Sequence, residues 1–189
     1  MRITGIRTQR QVHASDAFVL CPGAEGPFLT RGIGVRLPIY PVKGYSVTLP
    51  AGPLAPVLSI TDADHRLVYS TLGEVVRIAG FMEFSGYDRS EDPRPVARML
   101  ALAQARFPDA ANYQQPLSHW TGLRPMTPDG APIIGKTPYD NLFLNTGHGM
   151  LGSTLALGCA AVLTDLLCGK PPGVDLTGLT LGRYGRKKR

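Results

Sequence analysis

The chain has 189 residues, 43% hydrophobic and 18% charged, the make-up of a soluble globular protein with one sizeable core or a core and a small appendage. Its 22 Gly and 17 Pro argue against a helical bundle and for short strands joined by turns. The formal charge of +6 is concentrated at the end, in Arg183, Arg186, Lys187, Lys188 and Arg189, so the chain carries no general basic face, and the single aromatic residue among them, Tyr184, is not the repeated aromatic–basic interleaving that a nucleic-acid groove requires.

In chain order, Ala17–Leu20 reads as a buried strand that delivers the chain into a turn cluster, Cys21-Pro-Gly-Ala-Glu-Gly-Pro27. The residues before it look like the end of a domain and not its beginning. Residues 34–49 alternate on both sides of Pro41 and Gly44, which predicts two strands or one bent strand, and residues 50–56 are a loop. Leu67–Thr71 and Val75–Ala79 flank Leu72-Gly-Glu74 as an antiparallel hairpin, with Phe81, Glu83 and Ser85 as an extension. Residues 93–106 are a helix: Asp92 caps it, Pro93 opens it, Val96, Met99, Leu100 and Ala103 form its apolar stripe, and Pro108 follows its end. Trp120–Gly130 reads as a rigid loop before Ile133-Ile134, and Asn141–Asn145 as a short strand. The last helix starts near Met150 and is closed by Gly169 and Pro171-Pro172. Antiparallel strands with two helices define an α+β arrangement.

Cys21, Cys159 and Cys168 form no Cys-x-x-Cys pair, which disfavours a disulfide framework or zinc ribbon and fits a reducing, cytoplasmic compartment. Met1–Gly5 holds no signal-peptide core. The apolar stretch Met150–Cys168 is interrupted by Gly152, Ser153, Thr154, Gly158, Thr164 and Asp165, so it predicts a buried helix and not a span. Membrane contact is then at most peripheral, through the basic tail at 183–189; the alternative for that tail is a solvated, frayed end.

Three places hold candidate chemistry. Gly147-His148-Gly149-Met150-Leu151-Gly152 is a G-x-G-x-x-G run that follows a strand and opens a helix. It reads either as a ligand-facing helix start, with small residues and a positive helix end, or as a glycine-rich packing turn. A complete dinucleotide fingerprint also needs a second strand ending in an acid about 20 residues on, and Asp175 lies in a Gly-rich stretch that is no such strand. Arg124, in an apolar setting, suits a substrate carboxylate held by two parallel hydrogen bonds, or a structural pairing with Asp129 or loop carbonyls. Lys43-Gly44-Tyr45 sits at the strand break, either facing a ligand or forming a bulge with a solvated lysine. His13, His65, His119 and His148 have no metal-ligand spacing, and no nucleophile elbow is visible.

Tyr40-Pro-Val-Lys-Gly-Tyr-Ser46, Trp120-Thr-Gly-Leu-Arg-Pro-Met-Thr-Pro-Asp-Gly-Ala-Pro-Ile-Ile-Gly135 and Asn141-Leu-Phe-Leu-Asn-Thr-Gly-His-Gly-Met-Leu-Gly-Ser-Thr-Leu-Ala-Leu-Gly158 resemble the C-terminal half of the glycine/D-amino-acid oxidase-type flavoprotein family, and within it the D-amino-acid dehydrogenases. The resemblance runs over residues 15–183. It implies a mixed or antiparallel-sheet substrate domain with flanking helices at 34–118, and remnants of an FAD-binding domain at 1–33 and 119–182. It also implies FAD as cofactor and oxidative deamination of a D-amino acid to a 2-oxo acid and ammonia, with hydride transfer to the flavin. Electrons then pass to a quinone or another acceptor. Arg124 matches the family arginine for the substrate carboxylate. The stretch Gly147–Gly152 matches the flavin-facing loop, and Gly23 a glycine near the flavin. Lys43, Gly44 and Tyr45 match the start of the substrate domain near the ring. The family's N-terminal strand–G-x-G-x-x-G–helix unit has no counterpart before residue 15, so an N-terminal FAD-binding half is expected as a partner and activity of this chain alone is not. The rival expectations are a non-catalytic amino-acid-binding module and a basic-tailed interaction protein.

Overall fold

The computed structural model describes residues 1–185, which fall into two compact units, Met1–Tyr40 with the chain from Arg124 onward, and Pro41–Leu123. The first unit opens with a two-stranded antiparallel ribbon, β1 (Ile6–Arg7) and β2 (Val12–His13), then β3 (Phe18–Leu20) and a short helix α1 (Gly26–Arg31). The expected turn cluster at 21–27 is therefore partly helical: Gly23–Glu25 winds as a 3₁₀ turn and Pro27 occupies the start of α1, where its missing N–H costs nothing.

The second unit is built on β4 (Tyr40–Pro50), β5 (Ile60–Asp62), β6 (Leu67–Leu72), β7 (Val75–Glu83), helix α2 (Pro93–Arg106) and β8 (Ser118–Met126), with strand order β5-β6-β7-β4-β8. Period-two alternation sends Tyr45, Val47 and Leu49 of β4, Leu67 and Tyr69 of β6 and Val76 and Ile78 of β7 to one face. Helix α2 covers that face with Met99 and Ala103 buried and Val96 and Leu100 partly so, the stripe its sequence predicts. The Asp92 carboxylate accepts the Arg94 backbone N–H at 2.9 Å, the expected cap. Residues 40–50 form one strand. The irregularity is on the facing strand: Lys43 pairs with Glu83 and Tyr45 with Gly80, so Gly44 alone faces Phe81 and Met82, and Phe81 takes a left-handed φ of +57° to absorb the extra residue. Trp120–Met126, expected as a loop, is strand β8. Its Gly and Pro residues hid the strand, and pairing beside β4 overrides their low propensity.

The chain re-enters the first unit at Arg124, within β8, and continues as β9 (Ile133–Lys136), β10 (Leu142–Thr146) and helix α3 (Gly152–Leu167). The mixed sheet has order β3-β10-β9, with β3 parallel and β9 antiparallel to β10. One cluster joins Val35, Leu37 and Ile39 to Ile133 and Leu144; another seats Cys159 and Val162 of α3 on Ile134. Asn141 holds Ile3 through both backbone groups, at 2.8 and 2.9 Å. The architecture is α+β. Among the described residues no helix is long and apolar enough to cross a membrane. Of the anticipated basic tail, Arg183 proves to be a structural residue, described below, and residues 186–189 lie outside the described part.

Removing the side chain of Ile78, fully buried between sheet and helix, is expected to cost about 2–5 kcal/mol. Asp92→Ala, which removes only the α2 cap, should cost about 1 kcal/mol. Urea unfolding of both variants measures this, and an equal loss would contradict the described core.

Candidate functional site

The first unit brings three predicted elements to one place. Strands β3 and β10 run parallel and end side by side, so the chain leaves both at their carboxyl ends, where open α/β sheets bind ligands. Gly23, just past β3, has φ +59° and open space where a Cβ would stand. The Thr146 hydroxyl at the end of β10 donates to its carbonyl at 3.4 Å.

After Thr146 the chain turns through Gly147 (φ +76°) and Gly149 (φ +55°) into α3. Backbone sign alone favours glycine at both. Packing adds a second reason: a Cβ on Gly147 would lie 2.7 Å from Thr127 Cγ2, and one on Gly149 would lie 2.9 Å from Met126 Sδ. The Gly149 N–H donates to the Pro125 carbonyl at 3.1 Å. The turn is therefore laced to the end of β8, and Arg124 sits one residue from that hydrogen bond. The packing reading of the loop is met directly. It is a packing turn at Gly147 and Gly149, and it is also the start of a helix whose first turn no side chain caps.

Arg124 is half-buried, and burial lowers its pKa, though a guanidinium stays charged at any ordinary pH. His148 is half-buried; its Nε2 is buried and has no hydrogen-bond partner among the described residues. Burial pushes its imidazole pKa down, which favours the neutral ring. Asn145 Oδ1, at the end of the same strand, is likewise buried without a partner. An orphaned buried polar atom costs on the order of 1–3 kcal/mol, so two of them flanking Gly147 mark a segment suited to an added hydrogen-bonding group. Met150 and Leu151 stand largely exposed beside it.

Asp129, a sequence candidate for pairing with Arg124, is engaged elsewhere. The Arg183 guanidinium donates to both its oxygens, at 2.8 and 3.1 Å, and the Tyr184 hydroxyl donates at 2.6 Å. The Arg183 contacts, first among its causes, hold the Asp129 carboxyl far below the usual carboxylate range.

Lys43, Gly44 and Tyr45 belong to the second unit. The expectation of a solvated lysine fails: Lys43 is 1% exposed, with Nζ 3.0 Å from Asp88 Oδ2. Burial alone would lower its pKa, but the Asp88 hydrogen bond and the neighbouring Tyr45, Asp88 and Glu83 outweigh it and hold the ammonium above its ordinary value. The Tyr45 ring is in the core and its hydroxyl donates to Glu83. Gly44 is buried opposite the β7 bulge. Among the described residues no His/Cys/Asp/Glu cluster could hold a metal.

Residues 1–166 match the model of a family described as FAD dependent oxidoreductase. The chain belongs to this family. The D-amino acid dehydrogenase of Paramagnetospirillum magneticum is 45% identical over 97% of this chain and 44% of its own length. That of Cereibacter sphaeroides is 40% identical, again over 44% of its length. The chain thus spans less than half of these curated relatives. Glycine oxidase from Geobacillus kaustophilus superposes with a TM-score of 0.81 at 26% identity, covering 93% of this chain and 48% of that one. L-proline dehydrogenase from P. horikoshii shares the fold, with a TM-score of 0.80 at 18% identity. The parallel β3–β10 pair and the glycine turn lie inside the matched span.

The exposed end of the Lys43 pair yields a pH test. The Ser90 backbone N–H, then Lys43, hold Asp88 down to about 2 from an ordinary 3.8. A carboxylate depressed in the folded state stabilises above its unfolded pKa and loses that contribution as pH falls through the folded one. Wild type should therefore exceed Asp88→Asn in stability at pH 6, and the gap should close between about pH 4 and 2. A gap that persists unchanged at pH 2 would contradict the pairing.

Proposed function

We propose that this chain provides the substrate-carboxylate site and the flavin-facing turn of an FAD-dependent oxidation of D-amino acids to 2-oxo acids and ammonia. Arg124 holds the substrate carboxylate through its planar fork, and in a partly desolvated setting that pairing fixes orientation as well as affinity. The glycine turn and the start of α3 lie against the electron-accepting ring, and their N–H groups and helix dipole favour negative charge on it. Bound FAD supplies the hydride acceptor, and electrons leave to a quinone or another carrier. His148 Nε2 and Asn145 Oδ1, buried without partners among the described residues, would be available to hold the bound group. Gly23, at the neighbouring strand end, leaves room for it. Lys43 and Tyr45 act on the substrate unit's own strands, through Asp88 and Glu83.

The observation that carries this reading is the Gly149–Pro125 hydrogen bond, which roots Arg124 beside the turn. The relatives' names support the substrate class. In this reading the nucleotide end of FAD is held by a segment equivalent to the unmatched part of those relatives. The outward side of α3 supports such a partner: Ala156, Leu157, Gly158, Ala160 and Ala161 are exposed and uncharged, with Leu157 at 88%, a composition that packs and is poorly suited to water.

The chain assembled with the N-terminal part of the Paramagnetospirillum relative should show flavin absorbance and oxidise D-alanine. In that assembly Arg124→Ala should raise KM by about two orders of magnitude, the consequence of a carboxylate losing a partner worth about 2–5 kcal/mol. An unchanged kcat/KM would remove Arg124 from the site and with it this assignment.

A further inference from the structure

Arg183 is densely bonded, although in the sequence it has only the look of a tail residue. It is 11% exposed. Nε and Nη2 take the two oxygens of Asp129; Nη1 donates to the Pro132 and Thr180 carbonyls at 3.0 and 3.2 Å; Nη2 donates to the Ala131 carbonyl at 2.6 Å. Tyr184 closes the cluster, with its hydroxyl on Asp129 and its ring 4.3 Å from the guanidinium carbon. Apart from the local bond to Thr180, these bonds converge on the reversal 127–132 between β8 and β9. Inside it the Thr127 hydroxyl donates to Ala131 O at 2.8 Å and the Ala131 N–H to Asp129 at 3.2 Å. A turn of this size needs no such investment merely to reverse a chain; a type I turn with Asp and Gly suffices.

The fixed reversal meets the candidate site directly. Thr127 lies against Gly147, Met126 against Gly149, and the Pro125 carbonyl accepts Gly149 N–H. We propose that Arg183, assisted by Tyr184, is a positioning residue: it locks the 127–132 reversal and thereby holds Arg124 and the Gly147–Gly149 turn in fixed mutual placement. Its consequence for substrate rests on the function proposed above; its mechanical part does not. The fork is essential to it, because one planar group must reach two carboxylate oxygens and three carbonyls at once, which an ammonium cannot do.

The test is amide hydrogen exchange by NMR on the chain with Arg183→Ala and Arg183→Lys. Both variants should speed exchange at Gly149 by at least about tenfold, while the amides of the β6–β7 hairpin keep their wild-type rates. Unchanged exchange at Gly149, full protection in the lysine variant, or equal acceleration in the hairpin would each overturn the proposal. In the FAD-loaded assembly, Arg183→Ala should raise KM for D-alanine about tenfold with kcat within about twofold, and lysine should not rescue it. An unchanged KM would overturn the positioning role. If instead Arg124→Ala leaves KM unchanged while Gly149 exchange still accelerates in the Arg183 variants, the functional reading fails and the mechanical coupling stands.

Discussion

A single backbone hydrogen bond, from Gly149 N–H to the Pro125 carbonyl, joins the two segments on which the candidate chemistry depends. Alone it contributes about 1 kcal/mol, too little to define a site. Its neighbours make it decisive. Glycine at 147 and 149 lets Thr127 and Met126 press to within contact of the turn, and any side chain there would push the segments apart. The parallel pairing of β3 with β10 then sets Gly23 beside the same strand end. The result is a small region where a guanidinium, two orphaned polar atoms and an uncapped helix start share one short stretch of the fold.

The second unit solves a different problem. Burying an ammonium costs several kcal/mol in lost hydration unless it is paired and hydrogen-bonded. Lys43 meets both conditions through Asp88, with Tyr45 and Glu83 close enough to bear on its charge. Asp88 in turn accepts Ser90, so the pair ties the irregular chain after β7 to β4, the strand between β7 and β8. The bulge at Phe81 is the geometric counterpart: it shifts Glu83 into register with Lys43. Such a network favours one arrangement of that segment over a loose ensemble.

Much of this was legible in the sequence because it rests on local rules. The α2 cap at Asp92, its stripe at Val96, Met99, Leu100 and Ala103, the hairpin around Gly73 and the turn into α3 all announce themselves within a few residues. What stayed hidden depends on distance along the chain. Nothing near Arg183 signals Asp129, 54 residues away, and the run of cations after it suggested a tail instead. Lys43 looked solvated because its partner lies 45 residues on. Strand β8 was masked by Gly122 and Pro125, whose propensities its partner strand overrides. Arg124 and the Gly147–Gly152 turn could each be singled out, but their adjacency is a product of tertiary packing.

The most direct measurement is a crystal structure of the chain assembled with the N-terminal part of a relative, with FAD and a D-amino acid bound. The Arg124 guanidinium is expected to hold the substrate carboxylate by paired hydrogen bonds while the Gly147–Gly149 turn, still bonded to Pro125, lies against the flavin ring. A carboxylate held by other groups, with the ring away from that turn, would contradict it.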